Sequence, residues 1–338
     1  MRPSFHPRLV NPPLGDPGLF IPFFFEKRAL MFDLGDIHSL PPKELLKLTH
    51  VFVSHTHMDH FIGFDHLLRI FLGREKTLHL FGPPPFIRNV EGKLSAYTWN
   101  LVHNYPNSFN LKVAEVHPNH IKIKTYESNR RFRAHRKPIQ VPFSGILVEE
   151  PEFRVSAIHL DHKIPCLGFT IQECFRVNIM KDRLRELDLP VGPWLKRFKE
   201  ALYDQRDLDQ NFEVAWKDGD QELRQNFRLG ELAKRIALIT PGQKITYITD
   251  VLYSPENVQK IVAFAQGADQ LFIEAAFLDE DKERAQTKFH LTAKQAGTIA
   301  RKARVKRFTI FHISPRYTYM TYALQKEAEE AFQGPQAG

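Results

Sequence analysis

The stretch His55-Thr56-His57-Met58-Asp59-His60 decides how this chain of 338 residues is interpreted. Three imidazoles and one carboxylate follow directly after the apolar run Val51-Phe52-Val53, which predicts a buried strand. Packing alone does not explain such a cluster, because buried polar groups need partners. Neutral imidazole and carboxylate are ligands of borderline divalent metals. The stretch therefore predicts a metal site at a strand end, and a solvated histidine-rich loop is the alternative.

The spacing within this stretch indicates how many ions it could serve. Alternate side chains on a strand point to the same side, so His55 and His57 can face one ion. Asp59 and His60 fall where the chain turns into the apolar segment Phe61–Leu72. A turn lets neighbouring side chains converge on a second ion. Two metals about 3.5–4 Å apart form a clamp suited to the hydrolysis of phosphodiesters and similar bonds.

Composition limits the class of protein. Hydrophobic residues make up 43% of the chain, which is enough for a core and excludes wholesale disorder. The length fits one large α/β domain or two small ones. No apolar run is long enough for a transmembrane helix, and the N-terminus lacks the apolar core of a secretory signal. The two cysteines, Cys166 and Cys174, are too few for a disulfide framework. We therefore expect a cytoplasmic protein without a membrane partner.

Charge points to an anionic partner. The net charge is +8 and the sequence pI is about 9.3, a balance that favours nucleic acid. Between positions 121 and 140, one acid, Glu127, stands against seven basic residues: Lys122, Lys124, Arg130, Arg131, Arg133, Arg136 and Lys137. A solvated basic loop is the alternative interpretation of this stretch.

Metal-ligand residue types recur at the ends of predicted strands. Strands predicted at 153–158, 244–249, 270–273 and 308–311 lead into His162, Asp250, Glu274 and His312. A rigid strand holds the residue at its end, and the loop beyond carries chemistry. Taken singly, His312 could be a core histidine and Asp250 a helix N-cap. Together with the opening stretch they form a set.

The remaining pattern predicts a mixed fold with an insertion. We expect a hairpin from Phe20–Phe25 and Ala29–Phe32. Helices are predicted at 61–71, 90–104 and 292–303, the last with Thr292 as N-cap. The segment Phe175–Leu229 is dense in charge, poor in strand pattern and placed between two core strands. It predicts a projecting arm, with an unremarkable insertion as the alternative.

These motifs resemble the metallo-β-lactamase superfamily and, within it, the ribonuclease Z family of endonucleases, which trim the 3′ trailer from precursor tRNA. The superfamily signature is His-x-His-x-Asp-His, and later motifs match 161–169, 247–250 and 312–317. Two stretches are similar to ribonuclease Z in particular: Glu274-Ala275-Ala276-Phe277 followed by 290–296, and the Gly-Pro-containing segment 184–194. The resemblance covers roughly residues 29–320. It departs at Asp33-Leu34-Gly35-Asp36, where the family has Asp-x-Gly-Glu-Gly-Thr, and at 103–145.

The resemblance implies a fold and a metal centre. The fold would be α/β, an αββα sandwich over 1–338 with two mixed sheets flanked by helices and a protruding helical arm at 176–230. One ion would be held by His55, His57 and His162. A second would be held by Asp59, His60 and His312, with Asp250 bridging. Zinc would be the metal, two ions per chain, and manganese is possible.

The resemblance also implies a mechanism and partners. A metal-activated hydroxide would attack phosphorus, and Asp59 would orient it or take its proton. His290, oriented by Glu274, would protonate the leaving 3′ oxygen, while Asp33 would fix a ligand imidazole. The substrate would be precursor tRNA, bound by Gly192, Pro193 and Arg316, and the protein would be a homodimer.

Two other functions stay open at this point. A hydrolase of the same fold could act on a small phosphodiester, a lactone or a thioester, although the arm and the His290 stretch argue against it. A nucleic-acid-binding protein with a decayed site is the other possibility, and the complete ligand set argues against that.

Overall fold

Two large β-sheets form the framework of the fold. The computed structural model describes residues 5–24, 26–134, 137–219 and 221–334. Among these, eight strands form one sheet in chain order: β1 (Arg8–Leu9), β2 (Leu19–Pro22), β3 (Ala29–Phe32), β4 (Leu48–Phe52), β5 (Lys76–Gly82), β6 (Phe109–Val116), β7 (His120–Glu127) and β8 (Ile139–Pro142). Strands β2 and β3 pair antiparallel, which confirms the predicted hairpin, although β2 ends at Pro22 and the predicted strand residue Phe25 lies outside the described residues.

Six strands among the described residues form the second sheet. They are β9 (Ile146–Glu149), β10 (Phe153–Asp161), β11 (Pro165–Glu173), β16 (Lys244–Ile248), β17 (Gln270–Glu274) and β18 (Phe308–Phe311), in the order β18-β17-β16-β11-β10-β9. Two short pairs complete the strands: β12 (Phe175–Ile179) with β15 (Ala237–Pro241), and β13 (Asn211–Asp218) with β14 (Gln221–Arg228).

Helices cover the outer faces of the two large sheets. The described helices are α1 (Pro42–Leu45), α2 (Met58–Phe61), α3 (Phe64–Phe71), α4 (Phe86–Ser95), α5 (Lys181–Glu186), α6 (Trp194–Tyr203), α7 (Leu229–Ile236), α8 (Pro255–Ala265), α9 (Lys282–Lys288), α10 (Ala293–Lys302) and α11 (Thr321–Gln333). Helices α3 and α4 bury their apolar stripe against the first sheet, and α8, α10 and α11 bury theirs against the second. No helix among the described residues has the length and apolar character needed to cross a membrane.

Aromatic side chains join the inner faces of the two sheets. Phe32 stacks on Phe169 of the second sheet with ring centroids 5.2 Å apart, and Phe52 contacts the same ring at 5.8 Å. The Tyr247 ring lies 5.8 Å from Phe32. These large buried rings hold the sheets face to face by removing apolar area from water. The result is the predicted αββα layering.

Register brings the ends of the strands to one edge of each sheet. Strands β16, β17 and β18 run parallel, with Ile248 opposite Ile273 and Ile273 opposite Ile310. The residues that follow these three isoleucines therefore leave the sheet together. Strands β3, β4 and β5 are also parallel. A backbone hydrogen bond of 2.9 Å from Leu167 N to Ser54 O connects the two sheets at this edge.

Two predicted helices differ from the observed ones for local reasons. The helix predicted at 90–104 starts earlier and ends at Ser95, because the Trp99 indole N–H donates to the Leu94 carbonyl at 2.7 Å and turns the chain back. The helix predicted at 61–71 is divided at Gly63, where an added Cβ would lie 2.3 Å from a backbone oxygen. The Thr292 N-cap is confirmed, with a capping box to Gln295.

A smaller compact unit comprises 148–154 and 172–243, and it includes the segment predicted as the arm at 176–230. It has its own core, in which Trp194, Phe198 and Leu232 are fully buried. Helices α5 and α6 fall in the charged stretches, as predicted, whereas α7 begins at the end of the predicted segment. The strand pairs are not predicted by the sequence, because the side chains of β14 are almost all exposed and give no apolar alternation.

Candidate metal centre

Every residue predicted to ligate a metal lies at one shared edge of the two large sheets. Three groups have possible ligand atoms within 4.8 Å of one another: His55, His57, His162 and Asp250; Asp59, His60 and His312; and Asp250, Glu274, His290 and His312. The first two groups reproduce the sets that sequence resemblance implies. Their assignment as ligands remains a prediction, while their proximity is a property of the fold.

Asp250 lies at the centre of the cluster. Its Oδ2 is 3.5 Å from His55 Nε2, 3.4 Å from His60 Nε2 and 3.4 Å from His162 Nε2. Its Oδ1 lies 2.7 Å from His312 Nδ1. The carboxylate is buried, and its backbone adopts a φ of 33°, which costs strain for a residue with a side chain. One carboxylate therefore faces four imidazoles.

The side chains of Asp59 and its neighbour His60 point in different directions. Both lie on α2, where successive side chains point in directions about 100° apart, so His60 is fully buried while Asp59 stays 42% exposed. Asp59 Oδ2 lies 3.1 Å from His312 Nε2 and 3.6 Å from His60 Nε2. Asp59 is thus the cluster carboxylate that also faces solvent.

A buried hydrogen-bond network orients two of the imidazoles. The carboxylate of Asp33 accepts from His60 Nδ1 at 3.0 Å, from Tyr247 Oη at 2.9 Å and from Ser54 Oγ at 2.9 Å. Because the Ser54 hydroxyl proton goes to Asp33, its oxygen is free to accept from His55 Nδ1 at 3.1 Å. Asp33 contacts a ligand-type imidazole as expected, whereas Ser54 and Tyr247 were not singled out by sequence.

His162 is oriented by a main-chain group. Its Nδ1 donates to the carbonyl of Phe289 at 2.9 Å, which leaves Nε2 directed at Asp250. Phe289 has a φ of 64° and ends α9 in the left-handed conformation. This carbonyl is a further part of the site that sequence reasoning missed, because no local signal marks a residue whose backbone is used. A hydrogen bond from the ring nitrogen that does not bind metal fixes the tautomer of a ligating histidine.

The donor set fits divalent metal ions. His55 Nε2, His60 Nε2 and His312 Nδ1 are buried, and none has a partner in hydrogen-bonding geometry among the described residues. Leaving such nitrogens unsatisfied costs about 1–3 kcal/mol each, so an ion is the partner that this arrangement lacks. Imidazole nitrogen with carboxylate oxygen suits zinc and, with several oxygens, manganese.

Burial and neighbouring charges set the protonation of the metal-free cluster. Burial lowers the pKa of His55 to about 2, with a further contribution from His60. Burial opposes the charged form of His60 too, but the carboxylates of Asp250 and Asp33 outweigh it and raise the pKa of His60 to about 10. Burial raises the pKa of Asp250, yet His312 and His60 hold it well below its usual value. Metal binding must therefore displace protons from imidazoles.

His290 and Glu274 form a pair at the side of the cluster. His290 Nδ1 donates to Glu274 Oε2 at 2.9 Å, and Glu274 Oε1 accepts from Val251 N at 2.7 Å. Glu274 is fully buried, whereas His290 is 19% exposed. Burial lowers the pKa of His290, but Glu274 reverses this and raises it overall. The pair can present a protonated Nε2 to a bound molecule.

A cavity of about 770 Å³ opens over the cluster. Its lining includes His57, Asp59 and His290, and four cationic residues surround its mouth: Lys163, Arg284, Lys288 and Arg316. Arg316, predicted to bind substrate, is held by Asp281, whose two carboxylate oxygens each lie 3.2 Å from Nη1. The cavity has the size and positive rim of a site for an anionic molecule.

The other predicted binding residues lie elsewhere. Gly192 and Pro193 belong to the smaller unit, where they precede α6, and the Trp194 indole donates to the Pro190 carbonyl at 2.9 Å. No described residue of the basic stretch 121–140 contributes to the lining of the cavity. Within that stretch Lys124 pairs with Glu91 at 2.5 Å, and Arg136 lies outside the described residues.

Comparison with known proteins identifies the family. The model of the beta-lactamase superfamily domain matches residues 230–313. Ribonuclease Z of Deinococcus radiodurans is 30% identical over 291 residues, which cover 85% of this chain and 83% of that protein. The chain belongs to the ribonuclease Z family. Ribonuclease Z of Bacillus thuringiensis is 31% identical over 313 residues, which are 89% of this chain and 84% of that protein.

Solved structures show the same fold. The metallo-beta-lactamase fold protein YhfI from Bacillus subtilis superposes with a TM-score of 0.54 at 18% identity, over 95% of this chain and 87% of that one. The predicted family and fold class are confirmed. As a member of the ribonuclease Z family, the protein is a metal-dependent hydrolase that binds divalent metal. The identity and number of its ions, its dimeric state and its cytoplasmic location stay predictions.

Proposed function

We propose that this ribonuclease Z family member removes the 3′ trailer from precursor tRNA by hydrolysing one phosphodiester. The observation that carries the proposal is the convergence of six other ligand-type side chains around Asp250, beneath a cavity with a cationic rim. The relatives named ribonuclease Z, at 30% and 31% identity, support RNA as the polymer. Cations at the rim suit the phosphates of such a polymer and read no base sequence.

Two divalent ions would complete the site. His55, His57 and His162 would hold one, and Asp59, His60 and His312 the other; Asp250 has an oxygen near both sets. Zinc is the metal that these nitrogens favour, and manganese is the alternative. When bound, such ions acidify water and offset charge on a phosphodiester.

Asp59 would position the attacking water. Burial raises the pKa of Asp59, but a hydrogen bond from His312 and the charge of His60 lower it to about 2. The carboxylate is therefore ionised at neutral pH, and it faces the cavity. A base this weak accepts a hydrogen bond well and takes a proton poorly. Of the two roles expected from sequence, orientation of the water is the one we propose.

His290 would act as the general acid. Its Nδ1 is occupied by Glu274, so the proton available to substrate is on Nε2, and Glu274 favours the charged ring. In in-line attack, a water that has lost one proton to solvent would form a bond from its oxygen to phosphorus, and the bond from phosphorus to the 3′ oxygen would break. The proton of His290 passes to that oxygen. The products are an RNA with a 3′ hydroxyl and a trailer with a 5′ phosphate.

The smaller unit would bind the body of the tRNA. Gly192, which is half-buried, and the exposed Pro193 precede α6, and the Trp194 indole donates a hydrogen bond to the Pro190 carbonyl there. A Gly-Pro turn presents backbone groups that can approach a phosphate chain closely. We further propose a cytoplasmic homodimer, in which the smaller unit of one subunit could serve the partner's substrate.

Activity on two substrates tests the proposal. Protein stripped with a chelator and reloaded with Zn²⁺ or Mn²⁺ is assayed on a precursor tRNA and on a small aryl phosphodiester. We expect much higher kcat/KM for the precursor, and loss of both activities together with bound metal in His57→Ala. His103→Ala, an exposed histidine away from the cavity, is the matched control and should behave as wild type. Preference for the small ester would favour a small-molecule hydrolase instead.

A further inference from the structure

Three large side chains project into solvent just beyond the cavity. Tyr319 is 99% exposed, Tyr322 75% and Met320 48%. They lie between the turn Pro315–Tyr317 and the first residues of α11. Single exposed apolar side chains are common, but three within four residues form a patch, and such patches mark sites of interaction.

The patch stands on a rigid support. Tyr317 is buried, its ring lies 6.3 Å from that of Phe277, and its hydroxyl donates to Asp281. On the other side, Leu324 of α11 is fully buried in the core. The segment that carries Tyr319 is thus anchored in the protein at both ends. The exposure of Tyr319 is therefore a built feature of this segment and differs from the fraying of a chain end.

The patch adjoins the proposed reaction site. Arg316 lines the cavity, and Tyr319 follows three residues later. Consecutive Cα atoms are about 3.8 Å apart, so the Cα atoms of these two residues are separated by no more than about 11 Å. An RNA strand that leaves the cavity over Arg316 would therefore reach the tyrosine rings within about two nucleotides.

Cations on the same rim complete the arrangement. Arg284 and Lys288 lie four positions apart on α9, and both are exposed and line the cavity. Positive charge with neighbouring exposed aromatic rings is the arrangement that binds single-stranded nucleic acid, since phosphates meet cations and bases stack on rings. A second copy of the chain would need a broader apolar surface than these side chains offer.

We propose that Tyr319 and Tyr322 form a stacking platform for unpaired nucleotides next to the scissile phosphate, while Arg284 and Lys288 hold the phosphates of the same strand. The platform favours substrates whose trailer is single-stranded beside the cut. This inference rests on the proposed function for its substrate. The chemistry of the patch, aromatic faces beside cations, is independent of it.

Binding of a fluorescein-labelled oligouridylate, measured by anisotropy, tests the platform directly. The double variant Tyr319→Ala/Tyr322→Ala should bind at least roughly 5- to 150-fold more weakly, since the loss of even one stacked base costs about 1–3 kcal/mol. The Tyr319→Phe/Tyr322→Phe variant keeps both rings and should bind as wild type. Tyr105→Ala is the matched surface control, because this exposed tyrosine is far in sequence from every residue that lines the cavity.

Salt dependence separates stacking from phosphate contact. The double alanine variant should keep the slope of log affinity against log salt, whereas Arg284→Gln should reduce that slope by about one. Unchanged oligouridylate binding by the alanine variant overturns the platform. A shift in its mass by light scattering also overturns it, because the patch would then be an interface between copies.

Cleavage assays distinguish this inference from the proposed function. On a precursor tRNA with an unpaired trailer, the alanine variant should raise KM, and annealing a complementary strand to the trailer should remove that difference. If wild type fails to cleave precursor tRNA but oligouridylate binding still depends on the rings, the proposed function is wrong and the platform stands. If wild type cleaves and the rings have no effect on binding or KM, the platform is wrong alone.

Discussion

Asp33→Asn is the substitution from which most can be calculated. Asp33 is fully buried and accepts four hydrogen bonds: from Ser54 N at 2.6 Å, Ser54 Oγ at 2.9 Å, Tyr247 Oη at 2.9 Å and His60 Nδ1 at 3.0 Å. An asparagine of the same shape has one acceptor oxygen and one NH₂ group. Either orientation points that NH₂ at a group that already donates. The negative charge opposite His60 is lost as well.

Each lost hydrogen bond to the charged carboxylate is worth about 1.5–3 kcal/mol, and a buried donor left without an acceptor costs about 1–3 kcal/mol. We expect the metal-free protein to lose about 3 kcal/mol of unfolding free energy. Loss of a group that orients a ligating histidine typically weakens metal affinity 10- to 100-fold. Tyr247→Phe is the matched control, because it removes one donor, keeps the ring and should have a clearly smaller effect on both quantities.

Urea denaturation of the metal-free protein and competition with a chelator measure these two effects. Asp33→Asn should weaken metal binding even at temperatures where the protein is fully folded. Metal affinity within twofold of wild type, in a folded variant, would refute the claim that Asp33 orients His60 for metal binding. An effect of Tyr247→Phe as large as that of Asp33→Asn would show that the hydroxyl, and not the carboxylate charge, matters.

Three further outcomes follow from the geometry. Because the pKa of His60 is raised to about 10, its ion pairs stabilise the metal-free fold fully below pH about 6.5, and this stability is lost as pH rises towards 10. Metal uptake at pH 7 should therefore release protons, and calorimetry in two buffers measures that release. A release of zero protons would contradict this. His290→Ala should slow cleavage and leave the metal content intact, and an equal loss of metal and activity would make His290 a ligand. Glu274→Gln should lower the pKa of His290 and so move the alkaline limb of the pH profile of kcat to lower pH. In urea denaturation, Gly63→Ala should destabilise the fold by several kcal/mol, because the added Cβ would lie 2.3 Å from a backbone oxygen. Gly92→Ala, whose added Cβ has nothing within 4 Å, should be neutral or stabilise helix α4 by about 0.5–1 kcal/mol. Equal effects of the two substitutions would argue against this packing.

The part of the site that is local in sequence could be predicted. His55 to His60 follow a buried strand, and the alternation of strand side chains and the turn after it are local properties. The strand-end positions of His162, Asp250 and His312 could be predicted for the same reason. Their convergence could not be derived from periodicity, because it depends on which strands are neighbours and in which register. Resemblance to the family supplied that information.

Other parts of the site depend on contacts that leave no local mark. The Tyr247 hydroxyl reaches Asp33 across 214 positions, and the Phe289 carbonyl reaches His162 across 127. Asp250 and His312 adopt positive φ values of 33° and 59°. Asp and His adopt such values more often than most residues, but the sequence does not show which Asp or His does so. These features exist because the two sheets pack face to face, and they are fixed only when the whole fold is formed.

In the smaller unit, helices were predictable and strands were not. The charged stretch that forms α6 has a helical apolar stripe, whereas β13 and β14 pair along the backbone from Asn211–Arg228 to Asp218–Gln221. Backbone hydrogen bonds are the same for every residue type, so a strand such as β14, whose side chains are almost all exposed, leaves little trace in sequence.

The ends of the cleaved RNA test the central claim most directly. Metal-loaded wild-type protein is incubated with a precursor tRNA that carries an unpaired 3′ trailer, and both products are analysed by mass spectrometry. We predict one cut at the trailer junction, giving a tRNA with a 3′ hydroxyl and a trailer with a 5′ phosphate, and no cut after chelation. A 2′,3′-cyclic phosphate, or an intact precursor in the presence of fully bound metal, would contradict the account.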